Sequence, residues 1–142
     1  MAARRSFPGL ITALLLSSAC NPKDTGLEDT GFHVALVKPA DKDMEVVDAV
    51  SPEIGFNDIA NSQTCTTETI LLVGSNQAHA VTYTFPYTLS HEDSGRRIVI
   101  DPVDPLLRGY WYSITIRSGV EGCTDDSGRM VLPFASSFYV AP

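Results

Sequence analysis

The chain has 142 residues, 44% of them apolar, and a formal charge of −7. That length holds one domain with some chain left over, and that apolar content is enough to build its core. Ten Lys and Arg against 17 Asp and Glu argue against a basic face for nucleic acid and against an electrostatic hold on anionic lipid.

Residues 1–19 read as a processing segment. Arg4 and Arg5 form a positive start, residues 10–16 are an apolar stretch too short to span a bilayer, and Ser17, Ser18 and Ala19 are small. Cys20 follows. The segment resembles a bacterial lipoprotein signal, which implies that Cys20 becomes the lipidated first residue. Ser17 stands where Leu is favoured, so plain secretion with cleavage near Ala19 stays open. Removing the segment takes away Arg4 and Arg5, leaving eight basic against 17 acidic residues, or −9. Asn21, in place of a retention Asp, favours the outer membrane. Residues 20–31 are polar, repeat Asp-Thr-Gly at Asp24 and Asp29, and read as a tether. The same repeat could be taken as a calcium or glycan site, but only three acidic residues are present and no ligand geometry is set.

The folded part is expected over residues 32–142. Val34 and Leu36 alternate before the break at Pro39, and Val46 and Val47 mark a second short segment. Ile54 and Phe56 share a face. Residues 57–67 look like a loop, and Glu68 to Val73 a strand ended by Gly74. His79 to Phe85 alternates, with Val81, Tyr83 and Phe85 expected inward. His91 to Gly95 is a turn, Arg97 to Asp101 a strand, and residues 120–128 a loop. Met130 to Leu132 is a brief strand, and Ser137 to Val140 closes the domain. No stretch keeps apolar residues at helical spacing for three turns. About seven short strands with frequent turns predict an all-β, Ig-like Greek-key sandwich.

The central feature is residues 106–112, Leu-Leu-Arg-Gly-Tyr-Trp-Tyr, running into a strand to Ser118. Leu106, Gly109 and Tyr112 have the spacing of a tyrosine corner, in which a Tyr hydroxyl bonds back to the incoming loop. Tyr110, Tyr112, Ile114 and Ile116 fall on one face. Trp111, Ser113, Thr115 and Arg117 fall on the other.

With these residues placed, the chain resembles a bacterial Ig-like domain of the surface-layer SbsA type over residues 33–142. The resemblance rests on Pro39, the Ile54-Gly55-Phe56 strand, the corner, Ile114 to Ile116 leading to Gly119-Val120, the Asp126-Ser127-Gly128 turn and the Phe138-Tyr139-Val140 strand. It implies a spacer or binding module in an envelope protein and brings no catalytic residues with it. Such domains often occur in tandem, and a single copy after an anchor departs from that pattern.

Cys65 precedes the fourth expected strand and Cys123 follows the central one. A sandwich of this topology gathers those loops at one end, so a Cys65–Cys123 disulfide is expected in an exported protein. Closing a loop of that length stabilises by roughly 4 kcal/mol in the chain-entropy account. The rival, a metal site, needs ligands that neither loop offers. His33, His79 and His91 have no metal spacing. Asp101 with Asp104, and Asp125 with Asp126, read as solvated turns, although such pairs bind Ca²⁺ when oxygens converge. No Gly-x-Ser-x-Gly elbow, Ser/His/Asp set or phosphate loop is present. Trp111 is a candidate ligand contact, able to stack on a sugar or anchor a partner. It could instead turn inward in a shifted register, or be covered by Arg97 or a loop.

The sequence thus predicts a lipid-anchored envelope protein with a non-catalytic binding or assembly module. Its expected partners are the membrane, through the anchor, and an envelope protein or glycan; no cofactor is expected. The alternatives are a calcium-dependent carbohydrate binder or small hydrolase using the acidic loops, and a purely structural spacer.

Overall fold

Alternating apolar residues place every second side chain on one side of a strand, and two such faces closed together make a core. The structure, a computed structural model, describes residues 31–142; the expected signal segment, Cys20 and the tether up to residue 30 lie outside them. Nine strands follow in order: β1 (Val34–Lys38), β2 (Asp43–Val46), β3 (Glu53–Phe56), β4 (Ile70–Ser75), β5 (Thr82–Tyr83), β6 (Tyr87–Glu92), β7 (Arg97–Pro102), β8 (Trp111–Ile116) and β9 (Phe134–Val140). They form two sheets, ordered β1-β3-β7-β6 and β2-β9-β8-β4-β5. Neighbours are antiparallel except β2 and β9.

The inner faces come from Ile54 and Phe56, Ile70 and Leu72, Ile98 and Ile100, Tyr112, Ile114 and Ile116, and Phe138 and Val140, all buried. Each such side chain contributes about 1.5–3 kcal/mol on leaving water. Phe32 joins them by stacking on Phe56 at 4.9 Å between ring centres. β8 lies between β9 and β4, and its alternation is the one expected: Tyr112, Ile114 and Ile116 point inward.

Four elements differ from the sequence reading, each for a local reason. β4 runs on through Gly74 to Ser75 because Gly74 faces Tyr112 across the sheet. A Cβ on Gly74 would lie 2.9 Å from the Tyr112 ring, so the ring covers the missing side chain. The expected strand from His79 to Phe85 shrinks to two residues. Its start is used in a turn, where the Asn76 carbonyl accepts from His79 N–H at 2.8 Å and the Asn76 side chain from Ala80 N–H at 2.8 Å. His79 has φ +57° there, and Val81 points to solvent.

β6 occupies much of the stretch between those two features. It pairs with β7 along its length, and the turn expected from His91 begins only at Asp93. As a half-buried edge strand with Thr, Ser, His and Glu in its sequence, it lacks the apolar alternation that identifies β3 or β8. Residues 130–132 form no strand; Val131 and Met130 make isolated bridges to Phe32 and Thr124, and β9 starts earlier, at Phe134.

Candidate functional site

β8 presents different chemistry at its two ends. Before its first residue the chain makes the corner. Leu106 is buried, and its N–H donates to the Asp48 carbonyl at 2.8 Å. Leu107 N–H donates to the Tyr112 hydroxyl at 2.7 Å. Gly109 turns the chain at φ +77°, a region that costs an L side chain about 1 kcal/mol or more, and its N–H donates to the Val140 carbonyl at 2.7 Å. Burial pushes the Tyr112 phenol above its ordinary pKa, opposed by the Leu107 N–H. Beneath the corner Tyr112 stacks on Phe138 at 5.8 Å and meets Phe85 edge-on at 5.6 Å. An apolar cavity of about 250 Å³ opens beside it, between Tyr83–Pro86 and Asp104–Leu107.

On the outer face of the same sheet Trp111 pairs with Ser75 on β4 and Tyr139 on β9. Its ring lies 5.4 Å from Tyr139 and 5.6 Å from His79. His79 is exposed, and its Nδ1 lies 3.2 Å from Ser75 Oγ. One pair of residues further along, Ser113 stands between Val73 and Ser137. Apart from Tyr139, these residues line a recess of about 260 Å³ together with Thr82 and Tyr112. The inward register for Trp111 is therefore corrected, because Tyr112 fills the inner position. The cover proposed from Arg97 is also absent: Arg97 lies in the other sheet, paired with Glu92 at 2.7 Å and Glu53 at 3.7 Å. Period two placed Ser113 beside Trp111 in the sequence. Ser137 and Tyr139 came from strand pairing with β9, and His79 from the turn built by Asn76, neither of which the sequence revealed.

Beyond the last residue of β8 the chain is fixed covalently. Cys65 and Cys123 form a disulfide with Cα atoms 4.4 Å apart, both fully buried. Beside it, Thr124 N–H donates to Thr64 Oγ at 3.0 Å, and the two Thr hydroxyls lie 2.9 Å apart. Asp125 is not a solvated turn residue; it is 1% exposed. Its carboxylate accepts from Ser127 N–H at 3.0 Å, Arg129 N–H at 2.8 Å and Arg129 Nε at 2.7 Å. Arg129 also reaches Asp58 at 2.9 Å. Burial alone would raise the Asp125 pKa, but the bonds from Arg129 and Ser127 outweigh it and hold the carboxyl below its usual range.

The remaining candidates are scattered. Asp126 is exposed, and Asp101 accepts from the Ser51 hydroxyl at 2.8 Å. His33 lies against the Gly31 carbonyl, and His91 Nε2 donates to the Cys65 carbonyl at 3.1 Å. Among the described residues no three His, Cys, Asp or Glu side chains gather as a metal site. With Asp125 committed to its turn, the acidic loop after Cys123 does not present the paired carboxylates that a calcium-dependent reading required.

Comparison with known proteins agrees with this architecture. The family described as a bacterial Ig-like domain matches residues 28–140, and the chain belongs to it. No protein of curated function matches the chain. Among solved structures, the N-terminal part of the bacterial S-layer protein SbsC is 16% identical with a TM-score of 0.56, over 80% of this chain and 24% of that one. CopC from Methylosinus trichosporium OB3b is 13% identical at 0.53, over 78% of this chain and 94% of that one. PcoC, a copper resistance protein from Escherichia coli, is 11% identical at 0.51, over 75% and 97%. The chain spans only 14–24% of the S-layer structures it matches. At these identities the likeness concerns the fold.

Proposed function

We propose that this member of the bacterial Ig-like domain family is a lipid-anchored cell-envelope protein and that the domain is a non-catalytic binding or assembly module. The observation that carries the reading is the buried Cys65–Cys123 bridge. Such a bond persists in an oxidising compartment, in keeping with a lipoprotein-like start and Cys20. The use of polar groups supports the non-catalytic part. Asp125, Arg129, Thr64 and His91 are engaged in structural bonds, whereas the aromatic surface around Trp111 borders an open recess.

The reading is tested by the intact mass of the protein from its host's membrane fraction, before and after reduction. The expected mass is that of residues 20–142 plus a diacylglyceryl or triacyl group, gaining two hydrogens on reduction. A bare chain starting near Cys20 and unchanged by reduction would overturn both the anchor and the export argument.

A further inference from the structure

We propose that the recess beside Trp111 binds one unit of a neutral glycan. The inference rests on the reading of the domain as a binding module and names the site and ligand class. The recess arises from a step in side-chain size across three paired strands. One row carries Ser75, Trp111 and Tyr139, with His79 beside Trp111; the next carries Val73, Ser113 and Ser137. Trp111 and His79 make a wall, with Tyr139 behind Trp111, and the small row makes a floor around about 260 Å³. That is below the roughly 300–1,000 Å³ of sites for drug-sized ligands, a scale suited to a single ring of a longer chain.

The lining sets the chemistry. It contains an indole, an imidazole, a valine, Tyr112 and the hydroxyls of Ser75, Thr82, Ser113 and Ser137, with no Asp, Glu, Lys or Arg. On a chain of net charge −7 such a patch is locally neutral. At Ser137 two opposite charges meet the recess and offset one another: Lys42 donates to Ser137 Oγ at 3.3 Å, and Asp41 accepts from Ser137 N–H at 2.9 Å. A ligand that matches it carries no charge, has a CH-rich face for the indole and has hydroxyls around its rim. A pyranose has all three. The indole gives stacking area at little entropic cost, and its partners are already set: His79 lies near Ser75 Oγ and Trp111 near Tyr139. A charged peptide finds no counter-charge in the lining. An apolar peptide would bury the hydroxyls of Thr82 and Ser113 against hydrocarbon.

Trp111 is the chain's only tryptophan, so its fluorescence reports the site directly. The test titrates the full chain with soluble neutral oligosaccharides of glucose, N-acetylglucosamine, mannose and galactose. The expected result is a saturable change in Trp111 emission with at least one of them. Ser113→Leu, which fills the floor from the outer face and leaves the core intact, weakens that affinity by roughly tenfold or more, equivalent to about 1.4 kcal/mol. Trp111→Phe, followed by calorimetry, weakens it as well. No saturable response across the panel, or one unaffected by Ser113→Leu in a variant that melts like the parent, overturns the glycan site. In that case an envelope partner captured by the parent and retained by Ser113→Leu leaves the binding-module reading standing, whereas a parent chain that captures no envelope partner strikes that reading as well.

Discussion

At the end of β8 that leads to Cys123, the chain is held by a covalent bond and a buried carboxylate with three donors. At the end that begins with Trp111, it is held by one phenolic hydroxyl, a left-handed glycine and stacked rings. Both ends must return a loop to the same strand, yet they consume different resources. The stapled end uses its polar groups internally. The corner end needs few polar groups and leaves aromatic surface and hydroxyls beside an open recess. A small domain thus concentrates its strongest restraints at one end and presents its adaptable surface at the other.

The largest way to break this contrast is to remove the staple. Replacing both Cys65 and Cys123 with Ala should cost about 4 kcal/mol, read as a lower denaturant midpoint, because the bridge closes a long loop of the unfolded chain. A midpoint close to the parent's would show that the polar cluster holds that end unaided. Asp125→Asn should cost roughly 2–3 kcal/mol by weakening charge-assisted bonds to Arg129 and Ser127. It should also change the response to acid. Asp125 has a lowered pKa when folded, against about 3.9 unfolded, so it contributes stability above about pH 4 and loses it as pH falls through the folded value. The variant should therefore show a shallower loss of stability on acidification than the parent.

The corner should respond more mildly. Tyr112→Phe removes the acceptor for Leu107 N–H and should cost about 1 kcal/mol, with the strand register kept by the ring over Gly74. Gly109→Ala should cost about 1 kcal/mol from its positive φ alone, since a Cβ there meets only the Tyr139 hydroxyl, at 3.8 Å. Thermal melts order the two. If Tyr112→Phe proved costlier than loss of the disulfide, the ranking of the two ends would be reversed.

The parts legible in the sequence are those written in alternation and spacing. Tyr112, Ile114 and Ile116 declared an inner face, and Cys65 and Cys123 flanked strands whose loops meet. The illegible parts depend on partners distant in sequence. β6 was hidden because an edge strand tolerates Thr88, Ser90 and Glu92 without an apolar stripe. Asp125 looked like a turn residue, because nothing nearby announces that Ala60 pairs with it or that Asp58 helps hold the Arg129 that bonds it. The recess was half visible: Trp111 and Ser113 shared a face by period two, but His79 reached them through a turn built by Asn76, and Ser137 through pairing with β9.

The central claim is that the corner end of β8 binds while the stapled end holds. Hydrogen–deuterium exchange of the full chain, with and without neutral polysaccharide purified from the host envelope, tests it most directly. Added protection confined to Val73–Tyr83 and Trp111–Ser113 is the predicted result. Protection confined to residues 58–66 and 123–129, or none anywhere, would contradict it.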